Sequence, residues 1–450
     1  MKKLLLVNPV GRRSGFLLSR FTTFPPLGLA YVAAVTPADW NIKILDENFD
    51  HFVYENADIV GITAFTSNIT RAYEIARIYR DRNVKVVMGG IHVSMLPDEA
   101  LQYADAVVIG EAEAVWGKVL EDFENGCLKD RYEGSQISLK DFKIRPRRDL
   151  LHPGYIWHPI LTSRGCPFDC HFCSVSKYLG TNYRQRDAQD VLDELQDLHG
   201  KDIFFVDDNL IGYSAESRAR AKEIFEGMIA RRMKKKWWMQ TSMNAAEDES
   251  ILRLAGRAGC QFALIGFESI NGSMLKEMKK GINLKVGVEN FCSVIKTFHA
   301  SGIAVLGSFI LGNDQESPEY YKELASFLLG SGIDILQVSI LTPLPGTRLF
   351  HDLEESGKLI YTDFPEDWDK YRFSYMVHVP RGTDIDNVYV GNNHIKSRFY
   401  SFKEYSFRII RSIIEMKSLY KTYCIYKMNQ SFKTSWAHSH YKNKFPLHIK

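Results

Sequence analysis

The stretch Arg164-Gly-Cys-Pro-Phe-Asp-Cys-His-Phe-Cys173 decides how this sequence is interpreted. It holds three of the chain's seven cysteines in the spacing C-x3-C-x2-C, namely Cys166, Cys170 and Cys173. With seven cysteines in 450 residues, this spacing arises by chance with a probability of roughly 0.002. Three thiolates packed this closely usually hold a soft metal ion or an iron–sulfur cluster.

The presence of three cysteines rather than four points to a cluster with one open position. A four-iron cluster held by four cysteines is closed, whereas one held by three leaves an iron free to bind another molecule. The structural alternative is a zinc knuckle, which requires four Cys or His ligands. His171 could supply the fourth ligand, but it lies between Cys170 and Cys173, too close to both to complete a tetrahedron. No second C-x2-C or H-x3-H follows, so we favour the cluster.

This stretch resembles the signature of the radical S-adenosylmethionine (SAM) superfamily, C-x3-C-x-aromatic-C, with Phe172 at the aromatic position. The resemblance implies that Cys166, Cys170 and Cys173 bind a [4Fe-4S] cluster whose open iron is chelated by SAM. Electron transfer from such a cluster cleaves a C–S bond of SAM and yields a 5′-deoxyadenosyl radical. A low-potential electron donor such as a flavodoxin or a ferredoxin is implied as a partner. The protein's task is to position these cofactors and to exclude water.

The overall composition is that of an ordinary soluble globular protein. Hydrophobic residues make up 45% of the chain and charged residues 25%, and its length corresponds to roughly two to four domains. The other four cysteines are scattered, which indicates isolated thiols rather than a disulfide framework. We find no signal peptide and no apolar stretch of about 18 residues, hence no transmembrane helix. Together with an oxygen-sensitive cluster, these features predict a cytoplasmic protein.

Charge is distributed unevenly along the chain. The net charge is +3, but residues 401–450 contain eight Lys and two Arg against two Glu, a balance of +8 that leaves −5 for the other 400 residues. A basic end of this kind suits a membrane surface, a nucleic acid, an acidic redox partner or simply a solvated surface. The solvated surface is the commonest of these cases.

Residues 1–125 alternate short apolar runs with amphipathic segments. This alternation predicts a doubly wound, Rossmann-like parallel sheet with ligands at the carboxyl ends of its strands. Gly89 and Gly90 follow one of these strands, and glycine lets the backbone approach a large ligand closely. The predicted helices are Leu27–Ala34, Ile69–Arg80 and Glu113–Phe123, and the predicted strands are Leu4–Val7, Ile42–Leu45, Ile59–Thr63, Val84–Met88 and Ala106–Ile109.

Three motifs in this part resemble the cobalamin-binding domain found on one large class of radical SAM enzymes. They are Pro25-Pro-Leu-Gly-Leu-Ala-Tyr-Val-Ala-Ala34, Gly89-Gly-Ile-His92 with a proline downstream, and Ile109-Gly-Glu-Ala-Glu113. The resemblance covers about residues 1–125 and implies cobalamin as a cofactor. The residues implied to contact it are Gly89, Gly90, Gly110 and Glu111.

One feature of other cobalamin proteins is missing from the sequence. Many of them carry a D-x-H-x-x-G motif whose His binds cobalt, and that motif does not occur here. The domain therefore binds cobalamin without a His ligand or has lost the cofactor. His92 is a poor substitute, because its Gly-Gly-x-His turn indicates a structural role.

After a predicted linker at residues 126–154, six strand–helix repeats follow within residues 155–348. They fit the partial (β/α)6 TIM-type barrel that the superfamily resemblance implies. Barrel chemistry collects at the carboxyl ends of the strands, and the cysteine loop follows the first strand. The predicted strands are Ile156–Thr162, Ile203–Val206, Trp237–Ser242, Phe262–Phe267, Ile303–Leu311 and Ile335–Leu341.

Three residues at the later strand ends are implied by the same resemblance to bind SAM. Gly266 and Glu268 close the fourth strand. The Glu268 carboxylate would lie near the ribose hydroxyls, and it can accept a hydrogen bond from each of two of them. Ser308 would lie near the methionine or adenine portion. Loop capping is the alternative for Glu268, and equally for Asp207 after the second strand.

Residues 349–450 predict a mainly helical C-terminal extension with a basic tail. Its segment Asp367-Trp-Asp-Lys-Tyr371 resembles the corresponding part of the cobalamin-linked class. From Arg408 to Tyr420, isoleucines recur at near-helical spacing, which favours an amphipathic helix packed on the barrel and, less strongly, a helix on a membrane surface. Four aromatic residues among the final lysines would suit lipid headgroups if the substrate were a lipid: Phe432, Trp436, Tyr441 and Phe445.

The leading interpretation is an enzyme that joins radical SAM chemistry to cobalamin and methylates an unactivated carbon of a small molecule or lipid. Cobalamin-linked cyclisation, ring rearrangement or oxidation without methyl transfer is the first alternative. A nucleic-acid modifier of the methylthiotransferase kind is disfavoured, because that class has a further three-cysteine set where residues 1–125 have no Cys. A metal-stapled binding module is the non-catalytic alternative. No residue can be named as a general base or hydrogen donor.

Overall fold

The structure, a computed structural model, describes residues 1–11 and 20–442. Its first sheet is parallel throughout, in the order β2-β1-β3-β4-β5-β6. The strand order reverses between β1 and β3, the place where doubly wound sheets bind ligands. The strands are β1 (Lys2–Asn8), β2 (Trp40–Asp46), β3 (Ile59–Thr63), β4 (Lys85–Gly89), β5 (Ala106–Gly110) and β6 (Arg131–Gly134).

Helices cover both faces of this sheet and give it two apolar cores. Alternate side chains of a strand point to opposite faces, so Leu5 and Val7 pack in one core while Leu4 and Leu6 pack in the other. The Rossmann-like sheet is confirmed. The helices are α1 (Leu27–Ala34), α2 (Ile69–Arg80), α3 (Ile91–Met95), α4 (Pro97–Leu101) and α5 (Trp116–Glu124).

Strand β6 lies in the segment that we predicted to be a linker, residues 126–154. It pairs in parallel with β5 between residues 107–110 and 131–134, and Tyr132 is the single fully buried residue of its four. One buried side chain in four residues leaves no hydrophobic period to detect in the sequence. This sheet therefore has one strand more than predicted, while the other domain boundaries stay predictions.

The second sheet is the predicted partial barrel, with six parallel strands in chain order, β7-β10-β11-β12-β13-β14. A separate antiparallel pair, β8 with β9, frames the cysteine loop. The strands are β7 (His158–Ile160), β8 (Ser163–Arg164), β9 (Arg184–Gln185), β10 (Asp202–Phe205), β11 (Lys236–Thr241), β12 (Cys260–Glu268), β13 (Ala304–Leu311) and β14 (Ile335–Ile340).

Helices surround the barrel, and the C-terminal extension is mainly helical, as predicted. One apolar core joins the barrel strands, their helices and the last helices of the extension. The helices are α6 (Val175–Tyr178), α7 (Ala188–Asp197), α8 (Ala215–Ala230), α9 (Glu249–Arg257), α10 (Gly272–Glu277), α11 (Gly281–Val286), α12 (Phe291–Ala300), α13 (Pro318–Gly330), α14 (Arg348–Glu355), α15 (Ile385–Phe399), α16 (Phe402–Met416) and α17 (Leu419–Ala437).

The C-terminal extension contacts both sheets. Trp368 is buried against the first sheet, where its Nε1 donates to Glu99 Oε2 at 2.9 Å. Helix α17 closes the base of the barrel, because Lys421 Nζ donates to the carbonyl of Gly302 and Asn429 Nδ2 donates to that of Asp334 at 2.8 Å. Both carbonyls precede barrel strands, so they mark the end of the barrel opposite the cysteine loop.

The aromatic residues that we expected to face lipid do not form an exposed surface. Phe432, Trp436 and Tyr441 are buried, and Trp436 Nε1 donates to Asn393 Oδ1 at 2.9 Å. All three belong to the apolar core that the extension shares with the barrel, which the sequence alone does not show. Phe445 lies outside the described residues. Within residues 1–11 and 20–442, no helix is long and apolar enough to cross a membrane.

Candidate cofactor sites

The cysteine loop leaves the barrel at β8 and returns at β9, and short backbone contacts shape it. Gly165 has φ +90°, and a Cβ there would lie 2.2 Å from the carbonyl oxygen of Asn182, so the loop entrance requires glycine. Cys166 N donates to the carbonyl of Gly180 at 3.1 Å, and Cys173 N to that of Cys170 at 3.1 Å. All three cysteines therefore project from one compact loop at the carboxyl end of the barrel.

The three thiols are free and partly accessible. Burial raises the pKa of Cys170 and raises that of Cys173 to about 11, so iron must displace protons when it binds. No three His, Cys, Asp or Glu side chains of the described residues surround a single metal-ion position. A four-iron cluster needs no such convergence, because each cysteine binds a separate iron. Three soft thiol donors in one loop fit this cluster.

The neighbouring side chains favour the three cysteines as the ligands. His171, the conceivable fourth zinc ligand, has its Nε2 at 2.8 Å from Asp352 Oδ2 on α14. Phe172 packs on the apolar cluster that includes Leu349. The Tyr213 hydroxyl lies 3.5 Å from Cys166 Sγ, where a cluster thiolate would accept its hydrogen bond. Sequence reasoning missed Tyr213, which follows the second barrel strand in an unremarkable Gly-Tyr-Ser turn.

Glu268 is held in an unusual conformation at the end of β12. Its φ is +65°, which a non-glycine residue adopts only when its surroundings hold it there. The carboxylate accepts from Lys280 Nζ at 2.9 Å, and Asn283 Nδ2 donates to the carbonyls of Gly266 and Phe267 at 3.0 and 2.8 Å. The strand end is therefore fixed from both sides.

Lys280 brings a positive charge to the cysteines. Burial by itself would lower its pKa, but Glu268, Cys170 and Cys173 raise it, so the ammonium stays protonated. We did not predict this residue. It lies 12 positions after Glu268, and only the fold brings the two together.

The other predicted SAM contacts lie side by side in the barrel wall. Gly266 and Ser308 are paired directly in the register of β12 and β13. Both are half-buried within strands whose other residues are mostly fully buried, so a ligand could reach them. Asp207 has the loop-capping role, since its buried carboxylate accepts from Thr162 Oγ1 at 2.7 Å and from the Ser163 hydroxyl.

A cavity of about 240 Å³ lies at the carboxyl edge of the first sheet; we name it the N-terminal cavity. Apolar side chains such as Leu29 and Val108 line it, together with five glycines. A Cβ at Gly28 would meet no atom within 4 Å, so the absent side chain leaves open space inside the cavity. Glycines at these positions let a large ring approach the backbone closely, which suits the edge of a corrin. Four of the lining residues are those predicted to contact cobalamin: Gly89, Gly90, Gly110 and Glu111.

The N-terminal cavity and the cysteine loop share a wall. Arg164, just before the cysteines, and Tyr178 and Leu179, just after them, line the cavity as well. Because these residues flank the loop that holds the thiols, a ligand in the cavity lies directly beside the cluster loop.

Glu111 has a second role that the sequence did not suggest. Its carboxylate binds Arg164 at 3.0 Å and Arg184 at 2.5 Å, and Arg164 also binds Glu113 at 2.5 Å. Burial alone would raise the pKa of Glu111, but Arg184 and Arg164 lower it, so the group is ionised. These buried ion pairs join the end of β5 to both sides of the cysteine loop. The cofactor contact of Glu111 stays a prediction.

The structural role predicted for His92 is confirmed. The ring is fully buried, with Nδ1 at 3.1 Å from Thr66 Oγ1 and Nε2 at 3.2 Å from Glu99 Oε1. Both nitrogens are thus occupied by protein groups, and His92 does not line the N-terminal cavity.

Known protein families match both the first domain and the barrel. Residues 14–119 match the B12 binding domain family, and residues 160–328 match the Radical SAM superfamily. The bacteriochlorophyllide d C-12(1)-methyltransferase of Chlorobaculum tepidum is 31% identical over 405 residues, which cover 84% of this chain and 83% of the relative. The chain belongs to the radical SAM enzymes with a B12-binding domain. Its cofactors are a [4Fe-4S] cluster, SAM and cobalamin.

Two further comparisons place this enzyme among others of its fold. The hopanoid C-2 methylase of Rhodopseudomonas palustris is 27% identical over 359 residues, 75% of this chain and 66% of that protein. The structure of the cobalamin-dependent SAM radical enzyme OxsB, with aqua-cobalamin and SAM bound, aligns with a TM-score of 0.70 and 15% identity. That alignment covers 98% of this chain and 71% of OxsB. The shared fold includes both sheets and the helical extension.

Proposed function

We propose that the enzyme transfers a methyl group to an unactivated carbon atom of its substrate. The observation that carries the proposal is the shared wall between the N-terminal cavity and the cysteine loop. When bound, the cluster and SAM supply a 5′-deoxyadenosyl radical, and methylcobalamin supplies a methyl group. A substrate lying in the cleft between the two sites would meet both reagents.

The chain's own residues have definite tasks in this proposal. Cys166, Cys170 and Cys173 each bind one iron and leave the fourth open for SAM. Lys280, which is held by Glu268 and is close enough to the thiols for them to raise its pKa, suits the negatively charged carboxylate of SAM at that iron. The apolar walls of the N-terminal cavity exclude water from the reacting radical.

We infer that the substrate is a large, mostly apolar ring compound. The two relatives described above are named for a bacteriochlorophyllide and for a hopanoid, which are both of that kind. An apolar substrate also suits radical chemistry at a carbon that no polar group activates. The electron for the cluster would come from a small reductant protein of low potential, such as a flavodoxin or a ferredoxin.

The chemistry can be tested before the substrate is known. The full chain is reconstituted anaerobically with iron, sulfide and cobalamin, then supplied with a strong reductant and with SAM that carries a trideuterated methyl group. We expect 5′-deoxyadenosine from the cluster site and trideuteromethylcobalamin with S-adenosylhomocysteine from the cobalamin site. Mass spectrometry detects all three products in one sample.

The outcome separates methyl transfer from the alternatives. If 5′-deoxyadenosine forms but the label never reaches cobalamin, the enzyme is a radical enzyme of the cyclising or oxidising kind and the methyltransferase proposal is wrong. If neither product forms from protein with a full complement of iron, the methyltransferase proposal is wrong as well. Once a substrate is found, methylation adds about fourteen mass units per turnover.

A further inference from the structure

Helix α16 turns most of its apolar residues to solvent, whereas two of its three buried residues are polar. Arg408, Ser412 and Met416 are its buried residues. At 3.6 residues per turn, the exposed apolar side chains cover a continuous arc of about 140° on the other side. A surface helix of a globular protein normally has the reverse arrangement. The exposed residues range from 46% to 89% accessible, and they are Phe402, Phe407, Ile410, Ile413 and Ile414.

Polar contacts on the inner side fix this orientation. Arg411 Nη2 donates to the carbonyl of Gly332 at 2.6 Å and to the fully buried Asp334 at 3.2 Å. The Arg408 guanidinium lies 3.5 Å from the ring centroid of Phe399. Rotating α16 to bury its isoleucines would strip Asp334 of these partners, which is costly for a buried charge. The helix packs on the barrel core as expected, through Ile409 and Met416, but its other three isoleucines face solvent.

The exposed row continues into α17. Leu419 is 81% accessible, and Tyr423 and Tyr426, at helical spacing from it, are also exposed. Tyrosines with one apolar and one polar end are common where a protein meets the interface of a bilayer. We name the α16 residues above, together with these three, the α16 face.

Positive charge accompanies the α16 face. Lys403 lies within its arc and Lys417 at its end, both exposed, whereas Glu404 and Glu415 lie on the opposite side of the helix. Residues 401–442 contain six Lys and two Arg against two Glu, a balance of +6, while residues 1–400 sum to −5. The positively charged part of the chain therefore also carries this row of exposed apolar side chains.

We propose that the α16 face docks on an anionic lipid surface. At a bilayer, lysine stems lie along the apolar boundary while their ammonium groups reach lipid phosphates. A symmetric contact with a second copy would instead bring Lys403 and Lys417 of both copies into one interface, and lysine is depleted from protein interfaces. The acidic remainder of the molecule would be repelled by the same membrane, which orients the docked enzyme.

The docked orientation keeps the cofactor sites accessible. The α16 face is anchored at Gly332 and Asp334, which precede β14 and so lie at the base of the barrel. The cysteine loop lies at the opposite end. Docking would hold the enzyme near a membrane that stores apolar compounds, with the cysteine loop open to an electron donor. This inference does not depend on methyl transfer.

Vesicle sedimentation tests the proposal. Full-length holoenzyme is mixed with vesicles of phosphatidylcholine alone or of phosphatidylcholine with phosphatidylglycerol. We expect binding to the anionic vesicles, weakened at about 0.5 M salt because the charges are screened. Ile410→Asp/Ile414→Asp should lower the partition coefficient about tenfold or more, because two apolar contacts are replaced by charges of the wrong sign. Circular dichroism and iron content should not change.

A matched variant controls for added surface charge. Val53→Asp/Ile360→Asp also replaces two exposed apolar residues, whose neighbours Phe52 and Leu359 pack on the first sheet, and should bind vesicles like the wild type. The proposal is overturned if the wild type ignores anionic vesicles, or if the Ile410/Ile414 variant binds as well as the control. It is also overturned if light scattering shows a dimer that only the Ile410/Ile414 variant dissociates, without vesicle binding, since the face is then an interface between copies.

Discussion

Single residues connect the two cofactor sites. Glu111 lies on the wall of the N-terminal cavity, while its carboxylate binds an arginine on each side of the cysteines, Arg164 and Arg184. These groups are buried, so removing one would leave its partners as unpaired charges. Both sites therefore depend on the same buried ion pairs, so removing one of these charges would disturb both sites.

Gly28 gives the cleanest test of the cobalamin site. Gly28→Leu should abolish retention of cobalamin, because the new side chain enters the open space of the N-terminal cavity without meeting protein atoms. Cobalamin retained after gel filtration is measured by its visible absorbance. Gly117→Leu is the control, since Gly117 on α5 is exposed and also has no atom within 4 Å of a Cβ. Equal loss in both variants would contradict the assignment.

Tyr213 is predicted to set the potential of the cluster. Tyr213→Phe removes the hydroxyl 3.5 Å from Cys166 Sγ. A hydrogen bond to a cluster sulfur favours the reduced, more negative state, so we expect a lower midpoint potential with unchanged iron content. A redox titration followed by electron paramagnetic resonance measures it. In Tyr183→Phe, whose hydroxyl donates to the Asn209 carbonyl instead, the potential should stay at the wild-type value.

Among the helices and strands, the sequence predicts those whose apolar residues recur at a regular spacing. Helices α1 and α2 begin and end at the predicted residues, and all six barrel strands overlap their predicted ranges. The sequence did not predict strand β6, because its residues show no regular apolar spacing. The orientation of α16 was also missed, because a helical period shows that a helix is amphipathic but not which side faces the protein. Contacts distant in sequence, such as Lys280 with Glu268, become visible only in the fold.

Asp334 fixes the C-terminal elements to the barrel. Its buried carboxylate accepts from His299 Nε2 and the Val305 backbone, both at 2.8 Å, and from Arg411. Asp334→Asn should cost about 3–5 kcal/mol, the usual cost of breaking a buried ion pair on one side. For a chain of this length the thermal unfolding midpoint should fall by roughly 3–5 °C. Asp193→Asn, at an exposed pair with Arg231, should shift stability by at most about 1 kcal/mol.

The contribution of the Asp334 carboxylate to stability should depend on pH. Burial alone would raise the pKa of Asp334, but His299 and Arg411 lower it below its usual value. A carboxylate whose pKa is lower in the folded than in the unfolded protein stabilises the fold above about pH 4. This stabilisation is lost as the pH falls through the pKa of the folded state. The difference in midpoint between wild type and Asp334→Asn should therefore shrink in acid. A constant difference down to about pH 2 would contradict this role.

At the scale of the whole molecule, one sheet forms the N-terminal cavity and the other positions the cysteines, and the shared wall places them beside one another. The C-terminal extension contacts both sheets, with Trp368 on the first and α17 on the base of the second. The order of the two domains along the chain follows from the sequence. The contact between the two domains does not follow from the sequence. It depends on arginines that flank the cysteines and on glutamates more than fifty residues earlier in the chain.

We propose that one chain binds an iron–sulfur cluster and cobalamin at two separate, adjoining sites. Iron and cobalt analysis of the reconstituted protein tests this arrangement. We expect about four irons and one cobalt per wild-type chain, and no bound iron but undiminished cobalt when Cys166, Cys170 and Cys173 are all changed to Ala. Wild-type protein without cobalt, or a triple variant that keeps its iron, would contradict the account.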